Sequence, residues 1–267
     1  MKTIPSKLDS HWNSLSLEDN EAAIWSTEEL SIYAQRLRGD WMLAETTNDD
    51  PAGKHSVRRT DSLPLGLDWK RWAFQDNVAD IRFWPTFPDR PLIVKTRIPV
   101  VVPPKSSINL YINIPIWLEV SIAHKDSFET LDKFSPVKLS DTWYGSSFEG
   151  QLCYALKSRA RRNLDDLENE SLRAVCMFRI RNKSDETLPV ERIRVIGDHL
   201  NLYNIDDRLW ASSVDIIFNG KDEKTSVEYQ TNAPIESPNS NQIREATKPY
   251  RHASFLDKFL FHPFTND

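Results

Sequence analysis

At 267 residues the chain can bury one large core or two ordinary ones, and an apolar fraction of 39% beside 27% charged residues excludes wholesale disorder. A net charge of −5 and a pI of about 5.7 give no general attraction to phosphate backbones or anionic membranes, so nucleic acid is not an expected partner. Only 7 glycines against 16 prolines and 9 tryptophans leave little material for phosphate-wrapping loops and suit short strands with ordered connections.

Residues 1–23 are polar and aperiodic and read as a loose N-terminal arm without a signal peptide. Ser26 and Glu29 have capping-box spacing. Leu30, Tyr33, Ala34 and Leu37 then recur at helical intervals, which predicts one short helix ended by Gly39, although Ser31, Ile32 and Tyr33 equally suit the start of a strand. Residues 46–66 read as a polar loop or a poorly paired hairpin. Beyond them the period is two. Ile81, Phe83, Pro85 and Phe87 alternate with Arg82, Trp84 and Thr86, and Leu92, Val94, Thr96, Ile98, Val100 and Val102 form one face of the next segment, with Pro99 opposite.

The strongest signal follows. Ile108, Leu110, Ile112, Ile114, Ile116, Leu118, Val120 and Ile122 occupy every even position, which a strand places on one face. The run exceeds an ordinary strand of about 5–6 residues, and Pro115 cannot donate to a ladder, so two strands around a break are expected. Later faces are Phe148, Leu152, Tyr154 and Leu156; then Leu172, Ala174, Cys176, Phe178 and Ile180; then Ile193 and Val195; then Val214, Ile216 and Phe218 before the Asn219-Gly220 turn. Ser254 has the place of a cap on a short terminal helix. The expected fold is mostly β: two antiparallel β-sandwich-like domains, 24–130 and 136–267, with one or two short peripheral helices. No segment reaches the roughly 18 apolar residues of a membrane span. The reading is therefore a cytoplasmic protein without direct membrane insertion, with Cys153 and Cys176 as free buried thiols.

Several short segments occur in a recognisable order: Pro85 to Pro91 (PTFPDRP), Ile114-Pro115-Ile116-Trp117, Trp143-Tyr144-Gly145, Gly150 to Tyr154 (GQLCY), and Ile180-Arg181-Asn182 with Pro189-Val190. Together they resemble the domain of unknown function numbered 432 (DUF432), a family of archaeal and bacterial proteins, from about Trp69 to Arg251. The resemblance implies a prokaryotic protein, no assigned activity, and a candidate accessory role in a membrane complex. No functional residue is carried over from it.

No catalytic motif stands out. The glycines build neither a P-loop nor a dinucleotide fingerprint, and Gly145 to Gly150 (GSSFEG) lacks the spacing of a nucleophile elbow. The histidines show no metal-ligand spacing, so neither a metal nor a cofactor is expected. Two features merit a functional reading. Lys157 to Arg162 (KSRARR) is a dense basic run beside the acidic stretch Asp165 to Glu170, and suits docking of an acidic partner, phosphate or headgroup if its charges are not neutralised locally. Arg173, Arg179, Arg181, Arg192 and Arg194 would crowd like charge on a sheet face unless carboxylates, aromatics or an anionic ligand compensate them.

The expected function is a non-catalytic interaction or accessory protein with an unidentified protein partner, a candidate subunit of a membrane complex. The alternatives are a small-molecule or carbohydrate binder using Trp and Arg side chains at the cleft between the two expected domains, with Trp69, Trp72, Trp84, Trp117 and Trp143 as the tryptophans of a candidate sugar platform, and an enzyme assembled from Asp198, His199, Arg251 and His252. Trp143, Tyr144, Arg159, Arg90 and Arg251 are the candidate binding residues, chosen because polar and aromatic groups there fall near the junction of the two blocks.

Overall fold

The computed structural model describes residues 12–47, 56–75, 78–124, 127–145, 150–158, 160–170, 172–205, 208–221 and 223–248. The chain forms two compact units and passes between them at Thr86/Phe87, Ile116/Trp117 and Pro136/Val137. The first unit contains β1 (Asn13–Ser16), β2 (Ala22–Ser26), β3 (Leu30–Leu37), β4 (Asp40–Thr47), β5 (Ser56–Thr60), β6 (Trp69–Trp72) and β7 (Asp80–Thr86). The second begins with β8 (Leu92–Val102) and β9 (Ser106–Pro115), after which β10 (Trp117–His124) and β11 (Ser127–Phe134) belong to the first again. The second resumes with β12 (Ser140–Tyr144), β13 (Gln151–Ser158), β14 (Arg173–Asn182), β15 (Leu188–Val195) and β16 (Leu202–Ile205). It continues with β17 (Arg208–Ala211), β18 (Val214–Phe218), β19 (Ser226–Tyr229) and β20 (Asn241–Arg244). The helical segments among the described residues are single 3-10 turns at Leu164–Asp166 and Gly197–His199.

The first unit has two antiparallel sheets, ordered β1-β7-β10-β11 and β5-β2-β3-β4-β6. Trp25, Ile32, Trp41 and Leu43 of one and Ile81, Phe83, Val120 and Ile122 of the other are almost inaccessible to solvent, and the Trp41 indole donates to the Val78 carbonyl at 3.2 Å. The helix expected after Ser26 is instead the β2–β3 hairpin. The Thr27 hydroxyl accepts the Leu30 amide at 2.9 Å, so the apparent helix cap is a turn cap. Ile32, Ala34 and Arg36 are buried in alternation, and pairing on both flanks outweighs the weak helical spacing. Gly39 closes the next hairpin: Arg38 and Gly39 both have positive φ (54° and 83°), as a two-residue turn requires. Within the expected N-terminal arm, β1 pairs with β7 while Trp12 and Leu17 are buried, because these two apolar residues find a core. The polar stretch 46–66 includes β5, which pairs with β2.

In the second unit the sheets are mixed rather than purely antiparallel. One is ordered β12-β13-β8-β15 with β13 and β8 parallel. The other is ordered β19-β18-β14-β17-β16-β20, with β9 antiparallel to β14 and both β17 and β18 parallel to it. The alternating run breaks where expected. β9 ends at Pro115, and after Ile116 the chain enters β10 of the first unit, so one continuous pattern serves two cores. Leu110, Ile112, Ile114, Cys176, Phe178 and Ile180 share a wholly buried face, and β8 lies against both β9 and β14. The stretch expected to form a terminal helix, from Ser254 to Leu260, lies outside the described residues.

Asn182, at the end of β14, ties this unit together. Its buried amide donates to the carbonyls of Val102 (3.1 Å), Pro103 (3.0 Å) and Glu186 (2.7 Å), while its side-chain oxygen accepts from the Ser184 amide (3.0 Å) and hydroxyl (2.7 Å). One side chain therefore fixes the end of β8 to the turn that leads into β15. Asn182→Ala leaves several buried partners unsatisfied and is expected to cost about 3 kcal/mol in denaturant unfolding. A loss below about 1 kcal/mol would contradict this assignment.

Cys153 and Cys176 are free and buried, on β13 and β14. Burial pushes both thiols up; Arg194 opposes the shift at Cys153. Neither should react with Ellman's reagent in the native protein at mildly alkaline pH, and both should react once it is unfolded. A fast-reacting native thiol would show that one of them is accessible.

Candidate functional site

The register of the β12-β13-β8-β15 sheet creates the feature that the sequence conceals. Lys157 of β13 stands beside Lys95 of β8, and Lys95 beside Arg192 of β15, so three exposed cations form one row across three adjacent strands. Neighbouring strands lie about 4.8 Å apart, and like charges directly opposite destabilise a sheet. The other face explains the alignment. Leu92, Val94, Leu156, Ile193 and Val195 are buried there, and a slip of one residue would expose them all. The core thus sets the register, and the cations take the positions it leaves.

At one end of the row Lys157 borders a cavity that also holds Asp166, Glu168 and Glu170. The other paired positions of this face are Ser140, Thr142, Tyr144, Gln151, Cys153, Ala155, Ile93 and Arg194, none of them acidic, and Ile93 and Cys153 are buried. Neither Lys95 nor Lys157 has an ion-pair partner among the described residues. Arg194 is held within the face, hydrogen-bonded to the Gln151 side chain and stacked over the Tyr144 ring at 5.4 Å.

Past the row, β8 carries extra residues. Lys95 pairs with Arg192 but Val100 pairs with Val190, so residues 96–99 bulge against Glu191 alone. The Thr96 hydroxyl donates to the Val190 carbonyl at 3.3 Å and anchors the bulge. Ile98 at its tip is 76% exposed, and Val101 is 56% exposed opposite the exposed Pro189. Exposed apolar side chains therefore follow Lys95 along β8, with Val101 in the same alternation as the lysine.

The candidate residues named from sequence fall on this sheet or beside it where they are described. Tyr144 lies on the basic face, under Arg194. Trp143 is 49% exposed and pairs with Leu152 on the opposite face. Arg90 bonds Asp141 at 3.1 Å and covers the Tyr154 ring at 5.2 Å. The Tyr154 hydroxyl donates to Asp89 at 2.9 Å, and burial together with that carboxylate pushes its phenol up to about 12. Arg159, Arg251 and His252 lie outside the described residues.

The arginine series divides between two sheets. Arg179 and Arg181 of β14 share the buried Asp215 carboxylate at 3.7 and 3.5 Å, and Arg173 meets Glu170 at 3.5 Å. Where the basic and acidic runs meet, a cavity of about 380 Å³ is lined by Lys157, Arg161, Arg173, Asp166, Glu168 and Glu170 over Asn113. The Asn113 amide donates to the Glu168 carbonyl (2.9 Å) and the Glu170 carboxylate (3.1 Å), so charge is largely matched inside it. Asp198 binds Lys248 at 2.7 Å and Thr247 at 3.0 Å, and the His199 ring nitrogen meets the Lys248 carbonyl at 2.6 Å. Trp84 and Trp117 are buried, which removes them from any surface platform for sugars.

Lys95 went unnoticed in the sequence because it is a lone lysine in an apolar strand. Its meaning depends on partners more than sixty residues away in the chain. Among the described residues no cluster of His, Cys, Asp or Glu could hold a metal ion, and no helix is long and apolar enough to cross a membrane. Comparison with curated proteins and with solved structures finds no match in either. A family model described as a protein of unknown function (DUF432) matches residues 11–262. Nearly the whole chain is covered, and the protein belongs to the DUF432 family.

Proposed function

We propose that the protein is a non-catalytic binding protein that docks an anionic partner through the outer face of the β12-β13-β8-β15 sheet, as a cytoplasmic accessory subunit of a membrane-associated assembly. The observation that carries this reading is Lys95, exposed and without an ion-pair partner among the described residues, set in register between Lys157 and Arg192 at positions whose pairing partners include no acid. Stability alone would favour a carboxylate at Lys95, whereas an anionic partner would supply the counter-charge of that lysine from outside. A binding role without chemistry agrees with the Asp198–His199 pair, whose side chains hold down residues 247–248. Two free thiols suit a reducing compartment.

The test is affinity purification of the tagged protein from detergent-solubilised host cells, comparing wild type with the Lys95→Glu/Lys157→Glu double variant. Both positions are exposed, so the variant should fold, as circular dichroism will verify. A stoichiometric partner is expected at low ionic strength, cross-linked through Lys95 or Lys157, released by salt and depleted at least about tenfold with the variant. Equal recovery of that partner with the variant would overturn the assignment of the face. A partnerless protein would overturn the reading as a whole.

A further inference from the structure

We propose that the cavity between the end of β13 and the loop 160–170 binds a small zwitterion, an α-amino acid. Lys157 and Arg161 take its carboxylate, and Asp166 and Glu168 take its ammonium group. The inference goes beyond the docking reading and does not rest on it, although Lys157 is common to both.

The cavity, of about 380 Å³, lies within the second unit, among β9, the end of β13, the start of β14 and the loop that joins the last two. That volume stands near the lower end of small-ligand pockets, which run from roughly 300 to 1,000 Å³. Its lining holds three cations and three carboxylates, yet of these only Arg173 and Glu170 close an ion pair, at 3.5 Å. Lys157, Arg161 and Glu168 have no ion-pair partner among the described residues, and Asp166 meets the Asn163 amide at 3.2 Å. The backbone explains why these charges stay apart. Arg161 exchanges amide–carbonyl bonds with Tyr111 at 2.8 and 3.0 Å, and Leu164 and Leu167 pack on the buried cluster around Tyr111, Met177 and Trp210. The buried Asn113 holds the Glu168 carbonyl and the Glu170 carboxylate with its amide nitrogen. Its side-chain oxygen accepts no hydrogen bond among the described residues and stays available to a donor.

Simpler ligands meet repulsion in this lining. A nucleotide or other polyanion faces three carboxylates, and a lone cation faces three positive side chains. The acids do not converge as metal ligands among the described residues. A zwitterion satisfies both signs at once, each of its charges meeting side chains that the loop keeps from closing on one another. Leu156 and Leu167 add an apolar stretch of wall for its aliphatic part. No aromatic ring stands among the described lining residues, so a quaternary ammonium has no cage here. A protonated amine, with N–H donors for carboxylates, is the cation that fits.

The experiment titrates the full chain calorimetrically with each of the common α-amino acids. The best ligand is then compared with its amide, which lacks the carboxylate, and with its N-acetyl form, which lacks the ammonium. At least one amino acid should bind, and removing either charge should weaken it about tenfold or more. Arg161→Gln should abolish the preference over the amide and keep that over the N-acetyl form. Asp166→Asn/Glu168→Gln should do the reverse. Both variants leave the backbone anchors of the loop in place, and a general disturbance of the loop would weaken all three ligands alike. The proposal is overturned if no amino acid binds, if the amide and N-acetyl forms bind as well as the parent, or if the variants weaken all three ligands equally. If amino-acid binding fails while the Lys95→Glu/Lys157→Glu variant still loses its partner in host extracts, this inference falls and the docking reading stands. If the variants separate the ligands as expected while the partner ignores the lysines, the docking reading falls and this inference stands.

Discussion

The placement of β8 in its sheet is the constraint on which the functional face depends. The strand is parallel to β13 on one side and antiparallel to β15 on the other, and its buried residues Leu92, Val94 and Val102 leave it no freedom to slip. Once the apolar face is fixed, Lys95 must stand between Lys157 and Arg192. The Asn182 amide holds the Val102 and Pro103 carbonyls at the far end of the strand. The bulge between these two regions absorbs the mismatch with β15 and exposes Ile98. A local arrangement of charge therefore follows from core packing and not from any attraction among the charged groups.

The rest of the molecule handles charge differently. In the first unit the buried Glu119 lies 3.7 Å from Arg82 and 4.0 Å from Lys133, and Arg82 also covers the Phe128 ring. In the second unit Asp215 serves two arginines, Glu170 serves Arg173, Asp141 serves Arg90 and Asp198 serves Lys248. These contacts supply the carboxylates that the arginine stripe on β14 requires, and the cavity at the junction of the basic and acidic runs is balanced in the same manner. Against this background Lys95 is an exception, since the positions paired with it hold only Lys157 and Arg192.

Much of the fold was legible because its signals are local. Alternation from Ile108 to Ile122 identified two strands, and the missing amide of Pro115 located the break between them. The helix read after Ser26 failed because the spacing of Leu30, Tyr33, Ala34 and Leu37 competes with an equally good alternation, and pairing with β2 and β4 decides between them. The candidate site was less legible. Tyr144 was singled out from its position in the chain and lies on the basic face, but its stacking under Arg194 depends on strands 50 residues apart in sequence. Lys157 was visible within the basic run; Lys95 was not, since parallel pairing of β13 with β8 leaves no mark on either strand alone.

The most direct test of the account is the stability of the single variant Lys95→Glu in the absence of any partner. If Lys95 is uncompensated, a carboxylate in its place gains a cation on each side, and the variant should unfold at higher denaturant than wild type. The gain should be about 0.5 kcal/mol or more and should shrink as salt is added. A variant less stable than wild type would show that Lys95 already has its counter-charge within the fold. The anion-docking account of this face would then be wrong.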